Sequence, residues 1–171
     1  MAHKYLNEFG ISSDTVSIFN SSDIHDRDDE EFNRRLVGWR KQREEHSFDF
    51  RELWNLDFCS ATWLYEHLKA FLSYTSIDLS YEKFTVITFE EIPESELEYD
   101  TDGAYPVAWL RALPPETLTL EDCIKTVLLY LEKYLSMFIS DSCGHSNEGL
   151  NEEYLQSAFL IYAEILPALW D

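Results

Sequence analysis

Apolar residues recur with helical spacing in four stretches of the chain. Residues three, four and seven positions apart lie on the same face of a helix. This spacing predicts helices over about residues 27–45, 58–74, 119–139 and 151–166. The third stretch carries the longest regular stripe, which consists of Ile124, Val127, Leu128, Leu131, Leu135 and Phe138. The pattern therefore predicts a compact bundle of about four helices.

One segment has the character of a strand. Residues 83–89, with the sequence KFTVITF, are rich in β-branched and aromatic side chains. The thirteen residues that follow, 90–102, contain seven acids and no base, and they indicate a solvated loop. The predicted fold class is mainly α with a minor β element (α+β): a helical bundle with one short strand or hairpin and an acidic loop insertion.

The chain shows no internal repeat and no boundary between domains, so residues 1–171 are predicted to form a single domain. Its hydrophobic content of 45% and aromatic content of 15% indicate that a core forms. Residues 1–22 lack a sustained period and are expected to form a loosely docked arm, while residues 90–116 are expected to be an insertion within the fold.

Negative charge is concentrated in the last three quarters of the chain. Residues 1–43 contain seven bases and eight acids, whereas residues 44–171 contain six bases and 25 acids. Such a surface disfavours direct binding to DNA, RNA or anionic membranes, because affinity for nucleic acid depends on neutralising phosphates. It favours a basic protein as partner. The alternative is that the charge only keeps the protein soluble.

The cysteines and the apolar runs bear on the compartment. An odd number of widely spaced cysteines, Cys59, Cys123 and Cys143, argues against a disulfide framework and fits a reducing environment. The first ten residues contain no apolar run of signal-peptide length, and no stretch approaches 18 uncharged apolar residues. We expect a protein that is neither secreted nor membrane-spanning.

Motifs of catalysis and of metal binding are missing from the sequence. Cys143 and His145 share a loop but lack the spacing of a structural zinc site. Residues 100–103 resemble a fragment of a calcium loop, without its glycine at the sixth position or its glutamate at the twelfth. The prediction is a protein that is not an enzyme and holds no metal or cofactor. A carboxylate-dependent hydrolase or nuclease stays open as an alternative, because catalytic groups assemble in space.

Two charged segments are candidate binding surfaces. The first comprises acidic residues, with one tyrosine among them, that could occupy a groove built for nucleic acid: Glu90, Glu91, Glu94, Glu96, Glu98, Asp100, Asp102 and Tyr99. The second is a basic helix that could contact phosphate or an acidic partner: Arg34, Arg35, Trp39, Arg40, Lys41 and Arg43. Each also has a plain structural interpretation. Charge runs are usually solvated, and pairs such as Lys41 with Glu45 stabilise an exposed helix.

Several motifs resemble small uncharacterised proteins encoded by phages and mobile elements of Gram-positive bacteria. They are FRELWNLD at residues 50–57, WLY at 63–65 with LK at 68–69, the helix start at 119–124 and AEILPALW at 163–170, and the resemblance covers about half the chain. In such relatives the strand pair runs almost directly into the third helix, whereas residues 90–116 intervene here. The resemblance implies the cytoplasm of a bacterial host and a specific function for the intervening segment.

Phages often carry small acidic proteins that disarm host defences, among them anti-CRISPR proteins. By this analogy, the main hypothesis is an accessory protein that binds and inhibits a basic nucleic-acid-handling host protein, such as a CRISPR nuclease, by mimicking nucleic acid. The alternative is a structural or regulatory module of phage replication or packaging that self-associates, for example as a homodimer, through Trp39, Trp54 or Trp109.

Overall fold

The computed structural model describes residues 4–11, 37–38, 41, 44–45, 56–101, 106–136, 138–139 and 148–169. The helices with described bounds are α1 (Lys4–Phe9), α2 (Leu56–Tyr74), α3 (Leu120–Ser136) and α4 (Glu148–Ile165). The strands are β1 (Lys83–Val86), β2 (Phe89–Glu91), β3 (Leu110–Ala112) and β4 (Glu116–Thr119). Short 3-10 turns lie at Glu94–Glu96 and Leu166–Leu169. The predicted fold class, mainly α with a minor β part, is confirmed.

The chain divides into two compact units, residues 1–67 and residues 68–171, and the boundary falls inside α2. That the whole chain is a single domain therefore stays a prediction. Among the described residues of the predicted basic helix, Val37, Gly38, Lys41, Glu44 and Glu45 are helical. The rest of that predicted helix, residues 27–36, 39–40 and 42–43, lies outside the described residues.

In the first unit, α1 is held at both of its ends. The carboxylate of Glu66 on α2 accepts hydrogen bonds from the backbone N–H groups of Tyr5, at 2.9 and 3.1 Å, and Leu6, at 3.2 Å. At the other end Gly10 has a φ of 108°, and Ile11 N–H donates to the Leu6 carbonyl at 2.8 Å, as in a Schellman motif. The absence of regular structure predicted for residues 1–22 is wrong for residues 4–9, which are too few to show a helical period.

The core of the second unit lies between α3 and α4. The buried side chains of α3 are Leu120, Cys123, Ile124, Val127, Leu128, Tyr130, Leu131, Tyr134 and Leu135. Those of α4 include Tyr154, Leu155, Ala158, Ile161 and Ile165. Full burial of one large apolar side chain stabilises the fold by about 1.5–3 kcal/mol. The two helices therefore form the stable core of this unit, and the strands pack against it.

Thr119 caps the first turn of α3, and its three-residue spacing from Asp122 is that of a capping box. Asp122 N–H donates to the Thr119 hydroxyl at 3.1 Å, and that hydroxyl donates to the Asp122 carboxylate at 2.7 Å. Other bounds differ slightly from expectation. α3 ends at Ser136 rather than near residue 139, and α4 begins at Glu148 rather than Asn151 before it passes into the 3-10 turn that contains Pro167.

The four strands form two two-stranded antiparallel sheets, one nested inside the other, and the described residues from 83 to 119 are called the β-ribbon below. In the outer pair Lys83 faces Thr119, and in the inner pair Phe89 faces Ala112. Farther along, Tyr99 faces Pro106 in an isolated bridge. Between the two pairs, residues 87–88 lie opposite residues 113–115. The second side of the ribbon therefore has one extra residue, which makes a bulge. Pro114 and Pro115 lie in this bulge, where their lack of a backbone N–H is tolerated.

The prediction that residues 90–102 form a solvated loop is wrong for the first residues of this segment. Glu90 and Glu91 belong to β2, and Glu94–Glu96 forms a 3-10 turn. Residues 90–116, the predicted insertion, contain the inner strand pair and continue the ribbon begun by β1 and β4. Within the described part of the chain, none of the helices combines the length and the apolar composition that crossing a bilayer requires.

Candidate functional site

Tyr130 attaches β2 to α3 at one residue of the strand. Its hydroxyl donates to the Phe89 carbonyl at 2.8 Å and accepts from the Phe89 N–H at 2.7 Å. Burial raises the pKa of this phenol, although the hydrogen bond with Phe89 acts in the opposite direction. The hydroxyl therefore stays protonated at neutral pH and keeps both hydrogen bonds.

Glu153 attaches β3 to α4. Its carboxylate accepts from the Trp109 N–H at 3.0 and 3.1 Å and from the Leu110 N–H at 2.7 Å. Hydrogen bonds to a charged acceptor are stronger than those between neutral groups. The backbone of Trp109 is thereby fixed against the helix.

Glu91 is tied to both helices of the core. Its carboxylate accepts a hydrogen bond from the Tyr154 hydroxyl of α4 and pairs with Lys133 of α3 at 3.2 Å. The Tyr154 hydrogen bond is the main cause that lowers the pKa of Glu91, with Lys133 adding to it and slight burial opposing it. Burial, followed by the contact with Glu91, raises the pKa of Tyr154. Glu91 is therefore ionised at neutral pH and held in place.

Arg111 on β3 bridges two acids of the ribbon. Its Nε donates to Glu90 at 2.6 Å across the strand pair, and its Nη1 donates to Glu96 on the 3-10 turn at 2.9 Å. These hydrogen bonds, first that with Glu90 and then that with Glu96, raise the pKa of the guanidinium. All three side chains are about half exposed, so the triad orders the surface of the ribbon more than it stabilises the fold.

The acids predicted to bind a partner fall into two groups. Glu90, Glu91 and Glu96 have the partners within the protein just described. Glu94, Glu98 and Asp100 are exposed beyond the inner strand pair, as is Tyr99, and Asp102 lies outside the described residues. Sequence reasoning missed the residues that hold the site: Lys133, Glu153 and Tyr154 on the helices, and Arg111 on the ribbon. Arg111 had a signal, because it is the only base in residues 84–115.

The second predicted surface is barely covered by the structure. Lys41 pairs with Glu45 at 3.7 Å in an i,i+4 ion pair, which is the contact that the structural interpretation of this helix expects. The other residues of this surface lie outside the described residues: Arg34, Arg35, Trp39, Arg40 and Arg43. Their role in binding stays a prediction.

An open pocket of about 500 Å³ lies beside the inner strand pair. The residues that line it are Glu91, Ile92, Glu94, Leu97, Tyr99, Trp109 and Leu150. Glu91, Glu94 and Tyr99 are residues that the sequence predicts to bind a partner. The pocket joins them to Trp109, which the sequence placed in a self-association surface, and to Leu150 at the start of α4. It combines carboxylates, aromatic rings and apolar walls.

The second unit carries a large surplus of negative charge. Residues 68–171 contain 19 acids and five bases, a net charge of −14. Four of the five bases already pair with carboxylates of the same unit: Lys69 with Glu132, Arg111 with Glu90 and Glu96, Lys125 with Glu121, and Lys133 with Glu91. The remaining acids outnumber the one remaining base, Lys83, so the unit keeps a strong net negative charge.

Among the described residues no group of three or more His, Cys, Asp and Glu side chains could hold a metal ion. Cys59 and Cys123, the cysteines in the described part of the chain, do not form disulfide bonds. Burial, with smaller effects from the charges of Asp122 and Glu116, raises the pKa of Cys123 to about 11. The Cys123 thiol is thus protonated at neutral pH and acts as a small apolar side chain of the core.

Comparison with known proteins adds no identity. No protein-family model, no curated protein and no solved structure matches this chain. The resemblance to phage and mobile-element proteins stays a prediction.

Proposed function

We propose that the protein binds a basic, nucleic-acid-handling protein of its host cell through the acidic end of the β-ribbon, and inhibits that protein by taking the place of nucleic acid. The observation that carries this proposal is the distribution of charge on the ribbon. Residues 84–110 contain seven acids and no base. Within this segment Phe89, Glu91 and Leu110 are hydrogen-bonded to Tyr130, Tyr154 and Glu153 of the two core helices. A fixed acidic projection is the complement of a basic groove.

The two groups of acids have different roles in the proposed binding. Glu90, Glu91 and Glu96 have internal partners that hold the ribbon in its conformation. Glu94 and Glu98 have no side-chain partner among the described residues, and they are exposed together with Asp100. These three are the carboxylates that a Lys- or Arg-lined groove can reach, since such a groove is built to neutralise phosphates.

The test is capture of partners from host lysate with a triple variant in which the reachable acids are neutralised, Glu94→Gln, Glu98→Gln and Asp100→Asn. A control triple variant, Glu82→Gln, Glu152→Gln and Glu164→Gln, changes the net charge equally at exposed positions outside the end of the ribbon. At about 50 mM salt, we expect the wild type and the control to retain a nucleic-acid-binding protein that the first variant loses. Binding should also fall at about 500 mM salt, because ion pairing is screened.

Added nucleic acid provides a second measurement on the captured partner. If the ribbon occupies the nucleic-acid groove, DNA or RNA of the kind that the partner binds will release the protein in proportion to its concentration. Circular dichroism shows whether each variant keeps its helices. If the wild type and the variant with the neutralised ribbon end retain the same partner equally well, the proposal is contradicted.

Self-association is the second candidate, and one observation favours it. The connection from α2 to β1 exposes three large apolar side chains, Tyr74 at 76%, Ile77 at 67% and Tyr81 at 83%. A cluster of this kind can mark a protein interface. Light scattering tests this candidate: a dimer whose mass is the same at low and high salt supports the apolar interface, whereas a monomer at both salts contradicts it.

A further inference from the structure

The pocket beside the ribbon has the chemistry of a cation site with apolar walls. Two aromatic residues, Trp109 and Tyr99, and two acids, Glu91 and Glu94, line it together with Ile92, Leu97 and Leu150. Aromatic faces attract cations through their quadrupole, carboxylates pair with them, and aliphatic walls cover the methylene stem of a long side chain. We propose that this pocket receives an arginine side chain of the basic partner, an inference that rests on the proposed function.

Two carboxylates of different character lie in the pocket. Glu91 is held ionised by Tyr154 and Lys133, so part of its charge is already balanced. Glu94 has no side-chain partner among the described residues and is exposed at the start of the 3-10 turn. Glu94 is therefore the carboxylate available to pair with an incoming guanidinium, while Glu91 adds negative potential from a fixed position.

The backbone at both aromatic residues of the pocket is held in place without a ligand. Glu153 fixes the backbone of Trp109 through its N–H, and Tyr99 is held opposite Pro106 in the bridge of the ribbon. Ile92 N–H also donates to the Trp109 carbonyl at 2.9 Å. A ligand that stacks between walls fixed in this way loses less free energy to ordering of the site.

Arginine fits this lining better than the other candidate ligands. A guanidinium is planar, is less strongly hydrated than an ammonium and forms two parallel hydrogen bonds with a carboxylate, so it stacks on an indole while pairing with Glu94. The pocket volume of about 500 Å³ leaves room for peptide backbone beside the side chain. A divalent metal is a poor alternative, because no described group of three ligating side chains is present.

The experiment follows the indole N–H resonance of Trp109 in ¹⁵N-labelled protein, assigned by its loss in Trp109→Phe. The probes are N-acetyl-arginine amide and N-acetyl-citrulline amide, which have nearly the same shape but differ in charge. We expect the arginine probe to shift the resonance saturably and the citrulline probe to leave it unchanged. Glu94→Gln should weaken binding of the arginine probe about three- to fivefold, as expected for an exposed charge pair, whereas Glu82→Gln should not.

Titration with oligoarginine separates the failure of this inference from the failure of the proposed function. If oligoarginine binds the wild type but not the variant with the neutralised ribbon end, while the Trp109 resonance stays still, the acidic surface binds and the pocket does not, and the inference is overturned alone. Equal shifts with arginine and citrulline probes overturn it too, since the site would then ignore charge. Absence of oligoarginine binding counts against both proposals.

Discussion

At the scale of single residues, Glu153 holds the backbone that leads into β3, because its carboxylate accepts hydrogen bonds from the N–H groups of Trp109 and Leu110. In Glu153→Ala these two donors lose their acceptor. We expect the free energy of unfolding to fall by about 1–3 kcal/mol, measured by urea denaturation. Glu152→Ala is the matched control, because Glu152 is an exposed neighbour on the same helix, and it should change stability by less than about 0.5 kcal/mol. Equal effects of the two substitutions would contradict the role of Glu153.

Some residue contacts of the site could be predicted from the sequence and others could not. The capping box of Thr119 and Asp122 is local, so its spacing alone predicts it. The hydrogen bond between Tyr154 and Glu91 joins residues 63 positions apart, and it depends on the packing of α4 against the ribbon. The count of acids therefore identified a charged segment correctly, but not which of its carboxylates are already paired.

At the scale of elements, Tyr130 connects helix α3 to strand β2 through both hydrogen-bonding groups of Phe89. Tyr130→Phe removes only the hydroxyl and leaves the ring in the core. We expect a loss of about 1–3 kcal/mol in stability, because a partly buried N–H and a partly buried carbonyl each lose a partner. Amide hydrogen exchange should show the effect locally, as faster exchange at Phe89.

The Leu120 N–H, which donates to the Glu82 carbonyl at 3.0 Å next to the outer strand pair, is the internal reference for that measurement. Exchange that accelerates equally at Leu120 and Phe89 would mean that the substitution loosens the whole unit. Unchanged exchange at Phe89 would show that Tyr130 does not hold the strand.

Elements differ in how far their sequences reveal them. The long helices α2, α3 and α4 show their apolar period over 17 to 19 residues, so pattern reasoning found all three. The inner strands β2 and β3 have three residues each, too few for a period of two to be recognised. Their pairing depends on backbone hydrogen bonds and on Tyr130 and Glu153, which lie on other elements.

At the scale of the whole molecule, a formal charge of −20 makes the folded state repel itself. Salt screens this repulsion, and it also screens the five ion pairs among the described residues of the second unit, which are partly exposed and therefore contribute little. We expect the free energy of unfolding to rise between about 10 mM and about 150 mM NaCl. Urea is the denaturant for this measurement, because guanidinium is itself a salt. A decrease in stability with salt would mean that the ion pairs outweigh the repulsion.

Composition and periodicity were sufficient to predict the fold class of the molecule. They could not predict the pocket, because its lining residues are far apart in the sequence. They come from residues 91–99, from Trp109 just before β3 and from Leu150 on α4. Such a site exists only after strands and helix have packed, so no local pattern in the sequence encodes it.

The nested register of the β-ribbon has a consequence for the order in which the chain folds. Lys83 and Thr119 are 36 positions apart, and joining them in one step would cost much chain entropy. Once Tyr99 meets Pro106, closing Glu91 on Leu110 adds only a short loop, and closing Val86 on Glu116 adds another. We therefore expect the strand pairs to form in order, first near Tyr99 and Pro106 and last at β1 and β4. In this order the distant pairing of β1 with β4 forms about as fast as a local contact.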